Sequence, residues 1–511
     1  MVSRRVVASS DPGSHQNVRV SLRIAVSWTG QVLAFAAALF VVLVGWAIST
    51  PVGSSPDDDY HLSSTWCALG EREGVCELDP VDPMSRLLPE DILKAHDCYA
   101  FRSDVDASCA DVLTDVVMVS TTRVNETAGL YPGGFYEVMG VFVGSDAERS
   151  VLLMRLFNAG VAVLLLVGGL LLAPRGIARS AAVATMIVYV PMGLFIVPST
   201  NPSSWALTGI SSVWIFGLSL MLTDSWRRRR TWLLAVGAIL GALMAMSARL
   251  DAAVYVGITV AVIAVIVGWR AVRHQWKGAA VLVALSLAGL WVFFTTDPPV
   301  SPGGEALGTA ERGIGLFLTN LVNAPVYLQQ VLGGPLGWYD VNLPTWVPIV
   351  GTLIVGMVVY RQLAQGPSRV LAASGLAFAA VLAVPIAFLQ LGGLVVGELV
   401  QPRYFLPLML VFVATAGLNV RVSRSFAWPP SATFVITPLL ALSAILSYWY
   451  TAHRYAAGST KGLFDRDLVI GWGGLTGLPW GAVVTLTVLA TLIMYLVGSS
   501  FLGIKHVGSR R

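Results

Sequence analysis

The chain carries about twelve apolar runs, most of them close to twenty residues long, and these constrain its fold more than any other feature. Runs of that length cross the roughly 30 Å hydrocarbon core of a bilayer as α-helices. Only 12% of the residues are charged and 55% are hydrophobic, which is too apolar for a soluble globular chain. The sequence therefore predicts an all-α integral membrane protein of about twelve transmembrane helices. The runs lie near residues 31–50, 151–173, 180–198, 204–223, 231–247, 251–269, 278–295, 344–362, 370–389, 404–420, 431–450 and 479–501.

Lys and Arg residues form short clusters in every second connection between these runs. Cytoplasmic loops carry this excess of positive charge, so the pattern predicts an even number of helices with both termini in the cytoplasm. The same clustering argues against a nucleic-acid partner. Abundant Ala, Val, Gly and Arg suggest a bacterial source, so we expect a multi-pass protein of the bacterial cytoplasmic membrane. The basic residues are Arg4, Arg5, Arg19, Arg23, Arg175, Arg179, Arg227 to Arg230, Arg270, Arg273, Lys277, Arg361, Arg369, Arg421, Arg424, Lys505, Arg510 and Arg511.

The predicted topology divides the chain into tails, one long loop and a helix bundle. The first helix has a basic flank, as a signal peptide has, but its apolar run is too long for one, so we expect a retained anchor. Residues 308–333 predict an amphipathic helix at the outer face, lying either in the membrane interface or against the bundle. The segments are a cytoplasmic N-terminal tail (1–30), the first transmembrane helix (31–50), an extracytoplasmic loop (51–150), a bundle of about eleven helices (151–501) with outer loops at 296–343 and 451–478, and a cytoplasmic tail (502–511).

The four cysteines, Cys67, Cys76, Cys98 and Cys109, all lie in the long first outer loop. That side of the membrane is oxidising, and disulfides persist there. Loop closure costs least for sequence neighbours, so we predict the pairs Cys67–Cys76 and Cys98–Cys109. The alternative is four free structural thiols.

An acidic cluster, Asp57, Asp58 and Asp59, follows the first helix by a few residues, with His61 beside it. Adjacent carboxylates repel one another, which favours either a raised pKa or a compensating cation. The cluster is therefore a candidate for a general base, and Asp57 with Asp58 for a divalent-metal contact to Mg²⁺, Mn²⁺ or Ca²⁺. His61 could orient or share a proton. The alternative is a solvated acidic run without function.

Five motifs in order resemble those of a family of predicted bacterial membrane proteins without assigned function, commonly placed among the GT-C glycosyltransferases. The likeness covers most of the chain. A weaker likeness, to actinobacterial arabinofuranosyltransferases, rests on Asp57-Asp58 followed by an aromatic residue. This chain has Asp58 where the family commonly has Glu, followed by the additional Asp59. The motifs are Pro56-Asp57-Asp58 with His61, Tyr131-Pro132 with Phe135-Tyr136, Asn201-Pro202, Gly337-Trp338-Tyr339-Asp340 with Leu343-Pro344, and Gln401-Pro402-Arg403-Tyr404-Phe405 with Pro407.

The resemblance implies sugar transfer from a polyprenyl-phosphate donor, with the first-loop aspartate as the base. Asp57 is the first candidate and Asp58 the second. The departing phosphate needs positive charge, for which Arg403 and Arg249 are candidates near the outer face. Each of them could instead snorkel to lipid headgroups or pair with a nearby carboxylate.

Further candidates for substrate binding come from the same motifs. Trp338 and Tyr339 could stack on sugar rings or belong to the interfacial aromatic belt. Asp340 could bind an acceptor hydroxyl or cap a turn. Tyr131 and Gln401 are further candidates for substrate binding, because they lie in motifs that match those of the family.

The sequence thus predicts an inverting glycosyltransferase of GT-C architecture, acting at the outer face on a cell-envelope glycan or glycolipid, in contact with membrane lipids. The alternatives are a transporter or flippase of lipid-linked glycans and a non-catalytic scaffold of the same fold. Transport predicts functional charges at mid-membrane, whereas the polar clusters of this chain lie at the outer rim.

Overall fold

The computed structural model describes residues 27–113, 115–223, 225–296, 307–398, 400–418, 428–464 and 470–502. Eleven helices within these ranges are long and apolar enough to cross a membrane. A shorter apolar helix lies at the tenth predicted run, whose last two residues fall outside the described ranges. The fold is therefore that of a helical integral membrane protein, as predicted. We number these helices α1 (Trp28–Ile48), α2 (Ala147–Leu172), α3 (Arg175–Ile196), α4 (Ser203–Leu220), α5 (Arg229–Ala248), α6 (Leu250–Val267), α7 (Trp276–Thr295), α8 (Trp346–Gln365), α9 (Ser368–Gly392), α10 (Pro402–Ala416), α11 (Pro430–Ala457) and α12 (Trp480–Leu502).

Local signals explain where several of these helices begin and end. The side chains of Ser27 and Asp146 cap α1 and α2 by accepting hydrogen bonds from backbone N–H groups three residues on, at 3.1 and 2.9 Å. Gly458, with φ +74°, ends α11 and so shortens the predicted outer loop 451–478 by its first turns. Prolines stand immediately before the first residue of five of these helices: Pro174, Pro202, Pro367, Pro429 and Pro479.

The connections gather at two opposite ends of the bundle. We call the end that carries residues 49–146 the motif end. There the Trp338 indole donates to the Gly53 carbonyl at 2.8 Å, and the Leu475 N–H donates to the Ile48 carbonyl at 3.1 Å. These bonds join loops that are far apart in sequence, so the long first loop and the later loops of the motif end form one structural layer.

We call the other end, which carries residues 173–174 and 268–275, the basic end. The two outermost described parts of the chain meet there, where the Trp28 and Phe501 rings lie 5.5 Å apart between centroids. The even number of crossings is thus present in the fold, whereas the cytoplasmic location of this end remains a prediction from the positive charge. Of the basic residues that predict this orientation, those outside the described ranges are Arg4, Arg5, Arg19, Arg23, Arg421, Arg424, Lys505, Arg510 and Arg511.

The fold is all-α as predicted, and the first loop adds a small sheet to it. It contains an antiparallel sheet of order β1-β2-β3, formed by β1 (Glu77–Leu78), β2 (Arg86–Pro89) and β3 (Met118–Thr121). Both predicted disulfides, Cys67–Cys76 and Cys98–Cys109, are present and confirm the pairing of neighbours.

The predicted outer-face helix is present over Ile314–Val331. One side packs on α9 and on the residues just after it, where Asn320 donates to the Leu394 carbonyl at 3.0 Å. The other side exposes apolar residues, with Ile314 73% and Val322 76% exposed. The helix thus packs on the bundle and also presents the apolar face that an interfacial helix requires.

Candidate active site

The acidic motif lies at the start of a short helix, Asp58–Cys67, in the layer at the motif end. Asp57 precedes that helix with φ +62°, a left-handed conformation that is uncommon for residues other than glycine. Such strained backbone persists where the surrounding structure holds it, which is often at functional sites.

Asp57 forms an ion pair with Arg403 at the start of α10. The Arg403 Nη2 atom donates to Asp57 Oδ2 at 2.6 Å, with the Arg403 side chain 2% exposed and the Asp57 side chain 33% exposed. Burial raises the pKa of Asp57, but the Arg403 guanidinium lowers it by more, so the pKa lies below its ordinary value. Asp57 is therefore ionised at neutral pH.

Asp58 faces a different set of partners and is fully buried. It accepts hydrogen bonds from the Ser55 N–H at 3.0 Å and from the Thr200 hydroxyl at 3.1 Å. Burial raises its pKa to about 7, although the nearby Arg155 guanidinium opposes that shift. Asp58 has no surface for a substrate, and it ties the acidic motif to the connection between α3 and α4.

Arg155 in α2 was not among the predicted site residues. It is fully buried and donates to the backbone carbonyls of Ala47 and Pro51 at 3.0 and 2.7 Å. It thereby fixes the end of α1 and the segment that leads to Asp57. The signal was a lone arginine inside an apolar run, a position where charge is costly and usually has a role.

His61 is buried beside the Asp57–Arg403 pair. Its Nδ1 atom lies 2.8 Å from the Tyr136 hydroxyl, and its ring meets Tyr131 edge-on with 5.1 Å between centroids. Burial lowers the pKa of His61 to about 3, although Asp57 acts in the opposite direction. The imidazole is therefore neutral, and its Nε2 atom has no hydrogen-bond partner among the described residues.

Arg249 adopts the alternative considered for it, pairing with a nearby carboxylate. It donates to both carboxylate oxygens of Asp251 at 2.9 and 3.0 Å. Its guanidinium also lies 4.0 Å from the Tyr404 ring centroid, and that ring is 5.0 Å from the Arg403 guanidinium. Because Asp251 neutralises its charge, Arg249 is better suited to hold Tyr404 beside Arg403 than to bind a phosphate.

A cleft of about 340 Å³, counted with its open mouth, adjoins the ion pair. Arg403, Gln401 and Tyr339 line it, and Tyr339 is 46% exposed with a left-handed φ of +59°. Burial raises the pKa of Tyr339 to about 12, so its hydroxyl stays protonated. Four segments that are far apart in the sequence meet at this cleft. The remaining lining residues are Pro56, Met192, Gln330, Gly334, Pro335, Leu336, Gly337 and Pro402.

Trp338 and Asp340 are buried, and so are less available to a ligand than Tyr339 is. The Trp338 ring is 8% exposed and stacks on His96 with 4.8 Å between centroids. Asp340 is buried in an ion pair with Arg454 at 2.5 Å, and it accepts from the Trp338 N–H at 3.1 Å. This is the turn-capping alternative for Asp340.

The two carboxylates considered for a metal contact do not form a shared site. Asp57 faces Arg403, whereas Asp58 faces Ser55 and Thr200. Within the described ranges, no three His, Cys, Asp or Glu side chains are grouped to hold a metal ion. The positive charge at the cleft comes from Arg403.

The fold and this arrangement define a polytopic helical membrane protein with a charged, partly enclosed cleft at one end of its bundle. Residues 40–412 match the family described as "Predicted membrane protein (DUF2142)", and the chain belongs to that family. This agrees with the resemblance to predicted membrane proteins inferred from the motifs.

Among solved structures, the chain is similar to ArnT from Cupriavidus metallidurans bound to undecaprenyl phosphate. The two share 14% identity with a TM-score of 0.43, over 93% of this chain and 77% of that one. No curated protein sequence matches the chain.

Proposed function

We propose that this protein is a membrane glycosyltransferase of GT-C type that moves a sugar from a polyprenyl-phosphate donor to a cell-envelope glycan or glycolipid. The reaction would take place at the outer face of the bacterial cytoplasmic membrane. The observation that carries the proposal is the ion pair between partly exposed Asp57 and buried Arg403 at the edge of the cleft. It supplies the two groups that such a transfer needs: a base and a cation for the leaving phosphate.

The choice of Asp57 as base follows from comparing the three neighbouring carboxylates. Asp58 is fully buried and accepts bonds from Ser55 and Thr200. Asp59 forms an ion pair with Arg123. Asp57 combines partial exposure with a position beside the cleft, so an acceptor hydroxyl can reach it.

The choice of Arg403 as phosphate-binding group follows from its burial and its remaining hydrogen-bonding capacity. Its guanidinium uses Nη2 for Asp57, while Nε is buried without a hydrogen-bond partner among the described residues. Arginine binds phosphate oxygens through paired, charge-assisted hydrogen bonds. A donor phosphate would therefore satisfy a buried charge that is only partly satisfied in the free protein.

The chemical step is a single displacement with inversion. The acceptor hydroxyl oxygen attacks the anomeric carbon, its proton passes to the Asp57 carboxylate, and the bond between that carbon and the phosphate oxygen breaks. Polyprenyl phosphate leaves beside Arg403, which balances its charge. A phosphate on Arg403 also weakens the pairing of that guanidinium with Asp57, and so strengthens the base when the donor is present.

Binding of the lipid phosphate tests this assignment without knowledge of the sugar. The probe is undecaprenyl phosphate, with undecaprenol as the uncharged control, titrated into purified protein in detergent. Arg403→Gln should weaken binding of the phosphate about tenfold or more, since bonds to charged groups contribute roughly 1.5–3 kcal/mol. Asp57→Asn should leave the affinity for the phosphate unchanged or higher, because the carboxylate that competes for Arg403 is gone.

Equal binding of phosphate and alcohol, or unchanged affinity in Arg403→Gln, would contradict the proposed donor site. In that case the scaffold or transporter alternative takes precedence. Arg123→Gln is the matched control, because its partner Asp59 lies in the same motif and Arg123 is itself 54% exposed.

A further inference from the structure

Three non-glycine residues in the part of the chain that the structure describes have a left-handed backbone: Asp57, Phe101 and Tyr339, with φ of +62°, +60° and +59°. Two of them belong to the candidate active site. The third, Phe101, lies in the first loop and is 69% exposed. Glycine adopts such a φ without cost, whereas a phenylalanine is strained there. The ring of Phe101 is thus kept at a conformational cost although it lies outside the core, which is a sign of function rather than of packing.

Phe101 adjoins the residues that border the cleft beside Asp57. Its ring meets the Trp338 ring edge-on, with 5.5 Å between centroids. Trp338 is followed in the chain by Tyr339, which lines the cleft. The charges of Arg403 and Asp57 act on the Tyr339 hydroxyl, so that side chain lies close to the ion pair. An aromatic series of Tyr339, Trp338 and Phe101 therefore connects the ion pair with the exposed surface of the first loop.

One buried guanidinium, that of Arg454, holds both of these segments in place. It donates to the carbonyls of Tyr99 and Arg102, at 2.6 and 3.1 Å, and these two residues flank Phe101 in the chain. It also forms the ion pair with Asp340, at 2.5 Å, in the turn that carries the cleft tyrosine. The loop of Phe101 and this turn are thus fixed relative to each other before a ligand arrives, which lowers the entropic cost of binding to them.

The surroundings of Phe101 indicate what kind of molecule the ring binds. Arg102 and Asp104 are exposed nearby, which places the ring in water rather than in the hydrocarbon of the bilayer. A single ring between charged groups is too small a patch for a protein interface. A sugar suits it, because the C–H bonds on one face of a sugar pack on the electron-rich face of an aromatic ring. The hydroxyl groups of the sugar can then bond to charged side chains such as these two.

We propose that Phe101 is the stacking platform for a sugar unit of the acceptor, beyond the unit whose hydroxyl faces Asp57. The acceptor is then a glycan chain rather than a single sugar or a simple lipid alcohol. This role rests on the proposed glycosyl transfer, whereas binding of a saccharide at Phe101 can be measured without it. Phe101 binds the acceptor and takes no part in the chemical step.

Saturation-transfer difference NMR tests the binding directly, because it shows which protons of a small molecule touch the protein. The probes are gluco-, manno-, galacto- and arabino-hexasaccharides, with the corresponding monosaccharides, added to purified protein in detergent. At least one hexasaccharide should receive saturation on its ring C–H protons and bind more tightly than its monosaccharide. Phe101→Gly should weaken that affinity about three- to tenfold, the loss expected for one aromatic contact. The variant should fold, since glycine removes the strain along with the ring.

Two further variants show whether the effect belongs to this ring. Phe101→Tyr keeps a flat ring and should keep the affinity. The matched control is Phe464→Gly, which removes a ring that is 79% exposed at the same end of the bundle and stacks on Trp449 with 6.3 Å between centroids. If Phe464→Gly loses as much affinity as Phe101→Gly, or if Phe101→Gly binds as the wild type does, Phe101 is not the platform. The proposal is also overturned if no hexasaccharide receives saturation from the wild type.

Kinetics separate this inference from the proposed function. With a donor that the wild type uses, Phe101→Gly should raise the KM for a glycan acceptor about three- to tenfold and leave kcat nearly unchanged. A normal KM in Phe101→Gly would refute the platform and leave the glycosyl transfer standing. Conversely, if Phe101→Gly loses saccharide binding but the wild type transfers sugar from no donor, the transfer is refuted and the saccharide site stands.

Discussion

Replacing Asp57 by asparagine should destabilise the protein, because it leaves the Arg403 charge without its partner. The two groups are joined at 2.6 Å, and the Arg403 side chain is 2% exposed. Removing one member of a fully buried pair costs about 3–5 kcal/mol. Asp57 is 33% exposed, so water screens part of the interaction and we expect a loss of about 2–3 kcal/mol.

Substitution of Arg403, the other member of the pair, should destabilise the protein less. Arg403→Gln leaves a carboxylate that water already reaches, so we expect a loss of about 1 kcal/mol. In the double variant no unpaired charge is buried, and its stability should lie near that of Arg403→Gln alone. The coupling energy of the cycle is then about 2–3 kcal/mol in magnitude, in the range for residues in direct contact.

Thermal or chemical unfolding at neutral pH, followed by circular dichroism in detergent, measures this cycle. Asp59→Asn is the matched control, because the partner of Asp59 is the half-exposed Arg123 and such pairs contribute less than about 1 kcal/mol. Strict additivity of Asp57→Asn and Arg403→Gln would refute the reasoning. So would an Asp57→Asn variant as stable as the wild type.

Three further predictions follow from the same layer of the structure. First, the pKa of Asp58 is raised from 3.8 to about 7, so the stability that this group contributes is lost as the pH rises from about 4 through 7. The pKa of His61 is lowered from 6.5 to about 3, so the stability that this group contributes is lost as the pH falls below 6.5. Between pH 4 and 6.5 these two contributions to stability change in opposite directions with pH. Asp58→Asn removes one of them, so the unfolding midpoint of the variant should fall from pH 7 to pH 5 by far more than that of the wild type. Second, Arg155→Gln should prevent accumulation of folded protein, measured by size-exclusion chromatography, because it removes buried bonds to three backbone carbonyls at 3.0, 2.5 and 2.7 Å. Third, in intact cells an impermeant thiol reagent should label a cysteine at Lys461 and spare one at Arg229, and the opposite result would invert the orientation.

Features that depend on local sequence were predictable. The apolar runs gave the helices, since length alone identifies a span, and proximity in sequence gave both disulfides. The meeting of Asp57 and Arg403 at one end of the bundle followed from counting crossings. Their direct pairing needed the structure, because loop geometry decides which side chains at that end touch.

Other features had signals too weak or too distant to read. The strands β1 to β3 span two to four residues each, too few for an alternating pattern to emerge. The pairing of Asp340 with Arg454 joins residues 114 positions apart, so the sequence left Asp340 open between binding an acceptor hydroxyl and capping a turn. Asp251 stands only two residues from Arg249, and that proximity was the available sign of its pairing.

Transfer of sugar by the purified protein tests the central proposal most directly. Proteoliposomes would be supplied with a panel of radiolabelled polyprenyl-phosphate sugars and membrane glycolipid acceptors, and the rates of wild type, Asp57→Asn and Asp59→Asn compared at equal amounts of folded protein. We expect transfer by the wild type, a fall in rate of roughly 10²–10⁴ for Asp57→Asn through loss of the base, and near-normal rates for Asp59→Asn. Near-normal transfer by folded Asp57→Asn would contradict the proposal.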